Sequence, residues 1–335
     1  MIEQNTENQP LVWALLDDRA GNTSQTMGIV EALNLPYEIK KINYNKLVHL
    51  PNFLRSPGLS SVDRKKSDSI QAPWPRLIVA TGRRLAPIAS WICMQKSEHK
   101  IAYVHVMWPG TRYCVFADVL VLPEHDHVTE LHPFILRTLG AANRINPSVL
   151  DESRANACKR FEAFPGPRIG VLVGGNSRHG KWSDHDIKKF VELLQQAQAQ
   201  APMSLLITTS RRTPDALKQA MSNVATAPCF YYQPGDAVEN PYRDIMAAAD
   251  HLIVTGDSVA MCSEAASSGK PTWIAEPASW KQSKITKFLQ TLYEKKHARP
   301  LSDFSLSARL EASALDDAGK IARELKNLKF LHLPT

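Results

Sequence analysis

Apolar runs of four to six residues recur along the chain, each closed by a polar or glycine-bearing turn and several followed by residues at helical spacing. In the first half they are Leu11–Leu16, Tyr37–Ile42, Leu77–Ala80, Ile101–Val106 and Val119–Leu122. In the second they are Arg168–Val173, Ser204–Thr208, His251–Thr255 and Thr272–Ala275. Runs this apolar suit strands buried on both faces, as in parallel sheets. Between them, Gln25–Leu33 carries the stripe Ile29, Val30, Leu33, and Ala86–Gln95 reads as a second helix. Ser183 and Asp186 form a capping box ahead of Ile187, Phe190, Val191 and Leu194. Thr213-Pro214 and Asn240-Pro241 each read as an N-cap followed by a first-turn proline. Strands alternating with helices predict an α/β fold of parallel, doubly wound sheets.

The halves divide near Ser153–Ala163, ahead of the breaker Pro165-Gly166-Pro167. The expected organisation is a first domain over 1–150, a second over 151–305, and a C-terminal helical segment over 306–330 packing back on the first. Leu310, Ile321, Leu325 and Leu328 give that segment its helical spacing.

The stretch His251–Glu276 concentrates the candidate chemistry. Strand His251–Thr255 leads into the turn Gly256-Asp257-Ser258 and a helix over Val259–Ser268, closed by Gly269 and Pro271. Ser263, Glu264, Ser267 and Ser268 share one helix face. The free N–H groups and positive dipole end at such a helix start suit a phosphate, and Glu264 could accept sugar hydroxyls. An ordinary βαβ unit with a solvated helix face accounts for the same residues. A second phosphate-suited turn is Gly174-Gly175-Asn176-Ser177. Gly175-x-x-x-x-Gly180-Lys181 nearly matches a P-loop, but Trp182 stands where a magnesium-holding hydroxyl is needed.

In the first half the strand ends carry Asp17/Asp18, Thr81-Gly82-Arg83-Arg84, Trp108 and Glu124-His125-Asp126-His127. Ligands of doubly wound sheets bind beyond the carboxyl ends of the strands, so these residues form a second candidate site. The Glu-His-Asp-His run reads better as a cleft loop or helix cap than as metal ligands, because adjacent residues rarely point at one ion. Lys46–Leu59 (KLVHLPNFLRSPGL) sets Leu47, Leu50, Phe53 and Leu54 beside Lys46 and Arg55. It reads either as packing of the first domain or as a membrane-contact patch.

Composition narrows the class. Of 335 residues, 44% are apolar and 22% charged, which fits a globular chain of one large or two medium domains. A net charge of +7 suits an anionic substrate, a membrane surface or nucleic acid. No zinc finger or aromatic-interleaved basic motif favours nucleic acid, so none is expected as a partner. Five cysteines without a C-x-x-C pattern predict reduced thiols. The polar start MIEQNTENQP and the absence of an apolar run near ~20 residues predict a cytoplasmic protein, at most peripheral at the inner face of a membrane.

Two nested resemblances follow from these motifs. Gly174-Gly175-Asn176-Ser177, and Ser263-Glu264-Ala265-Ala266 with Gly269-Lys270-Pro271, resemble the phosphate turn and the S-E-x-x-x-x-G-x-P motif of the lipid II-forming N-acetylglucosaminyltransferase, a GT-B type enzyme. More narrowly, four motifs resemble the mitochondrial-fission-type family of GT-B-like proteins: Asp17-x-Arg19-x-Gly21-Asn22-x-x-Gln25; Gly174 through His179; Thr208 through Pro214; and Thr255-Gly256-Asp257-Ser258-x-x-Met261-x-Ser263-Glu264-Ala265. They span about residues 12–276. That family has bacterial members linked to lipopolysaccharide or lipooligosaccharide core assembly.

The resemblance implies two Rossmann-like domains facing across a cleft, with a nucleotide-diphospho-sugar in the second as donor substrate and no cofactor or metal. Backbone N–H groups of Gly174–Ser177, with Ser210, Asp257, Ser258 and Ser263, would surround the donor. Arg211 or Arg212 would neutralise the leaving diphosphate, and Glu264 would hold the ribose. Asp17 would be the catalytic base, with Asp18, His125 and Asp126 as alternatives, and Arg19, Asn22 and Gln25 would position acceptor or sugar. The acceptor would be a cell-envelope glycan or lipid-linked. A nucleotide-sugar 2-epimerase, and a non-catalytic scaffold acting in membrane morphology, are the alternatives.

Overall fold

A computed structural model describes residues 11–333 apart from 127, 129–131, 178–179, 225–227, 278–279, 281–283, 310 and 332. His127, Arg178, His179 and Leu310, all used above, lie outside the described residues, as does the segment 1–10. The chain forms two compact units, Met1–Arg144 with Asp317–Thr335, and Ile145–Asp316.

The first unit carries strands β1 (Val12–Leu16), β2 (Tyr37–Lys41), β3 (Leu77–Thr81), β4 (Ala102–Val106), β5 (Val119–Pro123) and β6 (Ile135–Thr138), with helices α1 (Ala20–Leu33), α2 (Ala86–Cys93) and α3 (Thr111–Cys114). The sheet is parallel, in the order β2-β1-β3-β4-β5-β6. Alternate residues feed two cores. Val12, Ala14, Val79, Val104 and Val121 pack with α1 on one face, and Trp13, Leu15, Ile78, Tyr103 and Leu120 with α2 on the other. Burial on both faces is why these strands are apolar throughout. Gly28 lets α1 pass the backbone of Asn143, where a Cβ would come within 2.5 Å.

The second unit runs α4 (Pro147–Arg160), β7 (Arg168–Val173), α5 (Asp184–Gln198), β8 (Ser204–Thr209), α6 (Asp215–Asn223), β9 (Cys229–Tyr232), α7 (Tyr242–Ala248), β10 (His251–Thr255), α8 (Val259–Ser267), β11 (Thr272–Ala275), α9 (Lys284–Glu294) and β12 (Arg299–Pro300). Its parallel sheet has the order β12-β11-β10-β7-β8-β9. Helix α10 (Asp317–Asn327) belongs to the first unit, where Ile321, Ala322 and Leu325 join the core beside α1.

Both sheets have a switch point, where successive strands leave in opposite directions: between β1 and β3 in the first, between β7 and β10 in the second. Crevices at such points are the usual ligand sites.

Several boundaries differ from the sequence reading. Helix α1 starts at Ala20 rather than Gln25, because Asn22 and Thr23 already donate their N–H groups to the Arg19 carbonyl. The passage between the halves is itself a helix, α4, capped by Asn146, whose Oδ1 accepts from the Val149 N–H. Helix α6 begins after Pro214, and the Thr213 hydroxyl bonds the Gly174 carbonyl instead of capping it. The Ser183–Asp186 capping box is present as read.

Candidate functional site

The loops at the second switch point are bound tightly to one another. Asp257, at the end of β10, has a fully buried carboxylate that accepts from the Thr255 hydroxyl at 2.6 Å and the Gly175 N–H at 2.8 Å, with Arg212 Nη2 at 3.4 Å. Burial raises its pKa, and these hydrogen bonds and the guanidinium pull it back. A Cβ on Gly174 would collide with the Asp257 carboxylate, and one on Gly175 with the Arg212 backbone. The double glycine is therefore needed for packing.

This arrangement changes the role of the glycine turn. The Gly174 N–H bonds Thr255 Oγ1 at 2.7 Å, Gly175 bonds Asp257, Asn176 bonds the Arg212 carbonyl at 3.0 Å, and Ser177 bonds the Gly180 carbonyl at 3.0 Å. All four N–H groups expected to face a diphosphate are engaged inside the unit. Asp257 is likewise a clamp between the β7 and β10 turns and does not face outward. Trp182, in the P-loop-like stretch, is buried, and its backbone N–H donates to Asn176 Oδ1 at 2.9 Å.

The donors that remain lie at the start of α8. Ser258 caps the helix by accepting from the Met261 N–H. Val259 and Ala260 are partly exposed residues, and their N–H groups have no partner among the described residues. Arg212 reaches this turn through Asp257, and Arg211 beside it is exposed with no partner among the described residues. Ser210 bonds Thr213 Oγ1 at 3.1 Å and receives the Arg212 N–H at 3.2 Å, so it shapes the turn that presents both arginines.

On α8, Glu264 is half-buried and its Oε2 accepts from the Tyr242 hydroxyl at 2.7 Å. Nothing in the sequence tied Tyr242 to it. The remainder of that helix face is not solvated: Ser263, Ser267 and Ser268 are buried, and Ser263 and Ser268 bond carbonyls of their own helix. Ser263 is thus turned inward. Lys270 of the following motif caps α7 by donating to the Ala247 and Ala249 carbonyls, and burial lowers its pKa to about 8.

In the first unit, Asp17 ends β1 half-buried. Asn22 Nδ2 lies 3.3 and 3.2 Å from its two oxygens, and the Arg19 N–H donates at 3.1 Å. Burial raises its pKa against the pull of these donors. A partly desolvated carboxylate held in one orientation is suited to accept a proton. Asp18 is exposed and paired with Arg84 at 3.2 Å. Gln25 is buried, its amide directed to the Gly21 carbonyl and Met107 Sδ, so it does not present itself to a ligand. His125 and Asp126 follow β5, three strands from β1 and therefore about 14 Å away. They do not converge with Asp17. Among the described residues, no group of three or more His, Cys, Asp or Glu could hold a metal ion.

The Lys46–Leu59 segment forms two short 3-10 turns, Lys46–His49 and Asn52–Leu54. Phe53 and Leu54 are 68 and 61% exposed, whereas Leu47 and Leu50, at 45 and 43%, are more than half covered, so the segment is packed in part and exposed in part. Arg55, expected beside them at the surface, is buried.

The sequence model described as "Mitochondrial fission ELM1" matches residues 20–328. The chain belongs to the mitochondrial fission ELM1 family. An uncharacterised protein of Rickettsia prowazekii (strain Madrid E) is 29% identical over 94% of this chain and 97% of its own length. Mitochondrial fission protein ELM1 of Arabidopsis thaliana is 26% identical over 75% of this chain, and the match spans 63% of the plant protein. Among solved structures, the UDP-GlcNAc 2-epimerase of Methanocaldococcus jannaschii, in complex with UDP-GlcNAc and UDP, aligns at a TM-score of 0.50 with 13% identity, over 94% of this chain and 99% of that one. This ELM1-family chain thus has the GT-B type of fold, two parallel α/β units shared with sugar-nucleotide enzymes. No helix among the described residues is long and apolar enough to cross a membrane.

Proposed function

We propose that this ELM1-family protein transfers a sugar from a nucleotide-diphospho-sugar to a cell-envelope glycan or lipid-linked acceptor. The observation that carries this reading is the β10–α8 element, where two helix N–H groups without a partner among the described residues follow Asp257, Arg212 pairs with that aspartate and Arg211 precedes Arg212 in the chain, and a tyrosine-held carboxylate lies a turn and a half along the same helix. Val259 and Ala260 would donate to the diphosphate. The two guanidinium groups would take up the charge that develops as the sugar–oxygen bond breaks. Glu264, oriented by Tyr242, would accept from ribose hydroxyls. Asp17 would take the proton from the acceptor hydroxyl as it attacks the anomeric carbon. The UDP-GlcNAc and UDP held by the Methanocaldococcus protein of the same fold make a uridine nucleotide the first donor to try.

Calorimetric titration with nucleotides and nucleotide-sugars tests the binding. Glu264→Ala is expected to weaken it by about tenfold or more, as expected when charge-assisted hydrogen bonds are lost. Asp17→Asn should lower donor turnover by about 10²–10⁴ while leaving donor affinity intact. Binding of no nucleotide would leave the scaffold reading, and release of an epimerised sugar would replace transfer with epimerisation.

A lipid-linked acceptor would also explain the exposed Leu47, Leu50, Phe53 and Leu54 beside Lys46 and His49, which match the surface of an anionic bilayer. Flotation with anionic vesicles should be reduced in Phe53→Asp, and unchanged flotation would remove this surface from the proposal.

A further inference from the structure

Beside Asp17 lies a cluster of charge that the proposed transfer does not use. Arg55 is 5% exposed, and among the described residues no carboxylate pairs with it. Its Nη2 donates to Asn52 Oδ1 and its Nη1 to Ser61 Oγ at 3.5 Å, but its Nε is buried without a partner. The Tyr44 hydroxyl nearby is also buried without a partner. The Arg84 guanidinium stands 5.8 Å from the centre of the Tyr44 ring, with Nη1 3.2 Å from Asp18. The Arg83 side chain is exposed and has no partner among the described residues. Asn52 Nδ2 holds the Arg83 carbonyl at 2.9 Å and the Pro109 carbonyl at 3.2 Å, so the Arg55 loop is fixed against the ends of both β3 and β4.

Burial lowers the Arg55 pKa; Tyr113 and Tyr44 act to raise it, and Arg83 and Arg84 are close enough to press it down. Three guanidinium groups therefore share one region, and among the described residues Asp18 forms the one ion pair with them. A buried cation left unpaired among like charges is costly, and an anion brought alongside relieves that cost. The place is the carboxyl ends of β1 and β3, the switch point of the first sheet.

We propose that this cluster is a binding site for a phosphate or diphosphate group, contacted by Arg83 and Arg84 with the Tyr44 hydroxyl as a further donor, and backed by the buried charge of Arg55. Taking the ligand as a phosphorylated acceptor rests on the transfer proposed above; the anion site itself does not.

Inorganic pyrophosphate titrated calorimetrically into the full chain tests it. The second unit is expected to bind pyrophosphate as well, so Arg211→Gln serves as the partner variant. Wild-type protein should show two binding components. Arg211→Gln should keep the first-unit component, whereas Arg83→Gln should weaken that component by about tenfold, the scale of a lost charge-assisted contact. Tyr44→Phe, which removes one oxygen, should weaken it by a few fold. The exposed Arg83 side chain has no partner to lose among the described residues, so its variant is expected to fold. Wild-type binding in both Arg83→Gln and Tyr44→Phe would overturn the proposal. Loss of all binding in Arg211→Gln would also overturn it while leaving the donor site standing. A component sensitive to Arg83 in a protein that binds no nucleotide would support the anion site and remove the transferase.

Discussion

Two aspartates at strand ends show how far a residue's role depends on its partners. Asp17 and Asp257 each follow an apolar strand, and burial raises the pKa of both. Asp17 stays partly exposed, held by the Asn22 amide and the Arg19 N–H. Asp257 is enclosed, and its oxygens clamp two turns. One is available for chemistry and the other is structural, although both stand in motifs of the same appearance. A third titratable group, His105 on β4, makes stability depend on pH. It is fully buried, its Nδ1 is hydrogen-bonded to the Tyr103 hydroxyl at 2.5 Å, and its Nε2 has no partner. Burial lowers its pKa to about 3 from an ordinary 6.5. The unfolded chain therefore binds a proton between those values that the folded chain refuses. Stability is constant from this group above pH 6.5 and falls as the pH drops toward 3, by up to about 5 kcal/mol over the whole window. Denaturant unfolding at pH 7.5 and 4.5 should show a loss that is smaller by about 2–3 kcal/mol in His105→Gln than in the wild type. An equal loss in both would place the acid sensitivity elsewhere.

At the scale of elements, legibility follows burial. The central strands β1, β3, β4, β5, β7, β8 and β10 are apolar over nearly their whole length because helices cover both faces, and each is readable within a residue or two at its ends. The strands β6 and β9 are only four residues long and mostly half-buried, and β6 (ILRT) is broken by a charge, so neither stands out as a buried run. Helix α4 has only Leu150 and Ala157 buried, too few to make a stripe. The β10–α8 element was legible down to its terminal glycine, with Gly269 at φ +74°. Its inner workings were not. The clamp on Asp257 joins positions 82 and 45 residues apart, and the bond from Tyr242 to Glu264 spans 22. Local spacing carries no information about such contacts. The same limit explains why a turn rich in glycine read as a phosphate cradle: the sequence displays the glycines but not the carboxylate and carbonyls packed against them. The tie of Arg212, on the β8–α6 turn, to the turn after β10 through Asp257 is another contact that spacing does not display.

For the whole molecule, the two units differ in how the chain builds them. The second is one continuous segment, Ile145–Asp316, with its own six-stranded sheet and a core from Ile169 to Phe304. The first needs both ends of the chain. Asp317 is buried and accepts the Leu139 and Gly140 N–H groups at 2.9 and 2.7 Å, while Ile321, Ala322, Leu325 and Leu331 fill the core face over α1. Without residues 317–335 those N–H groups would lose their acceptor and that apolar face its cover, each a cost of kcal/mol size in a fold stabilised by only about 5–15 kcal/mol. The 145–316 segment expressed alone is therefore expected to unfold in a single cooperative transition. The 1–144 segment alone is expected to lack one, and to regain it when residues 317–335 are joined to it through a linker. If the proposed donor site is right, nucleotide affinity should accompany 145–316, because Val259, Ala260, Arg211, Arg212, Tyr242 and Glu264 all lie within it. A well-folded 145–316 that binds no nucleotide bound by the full chain would show that the first unit supplies contacts to the donor. A 145–316 segment without a cooperative transition would show that its core depends on the first unit.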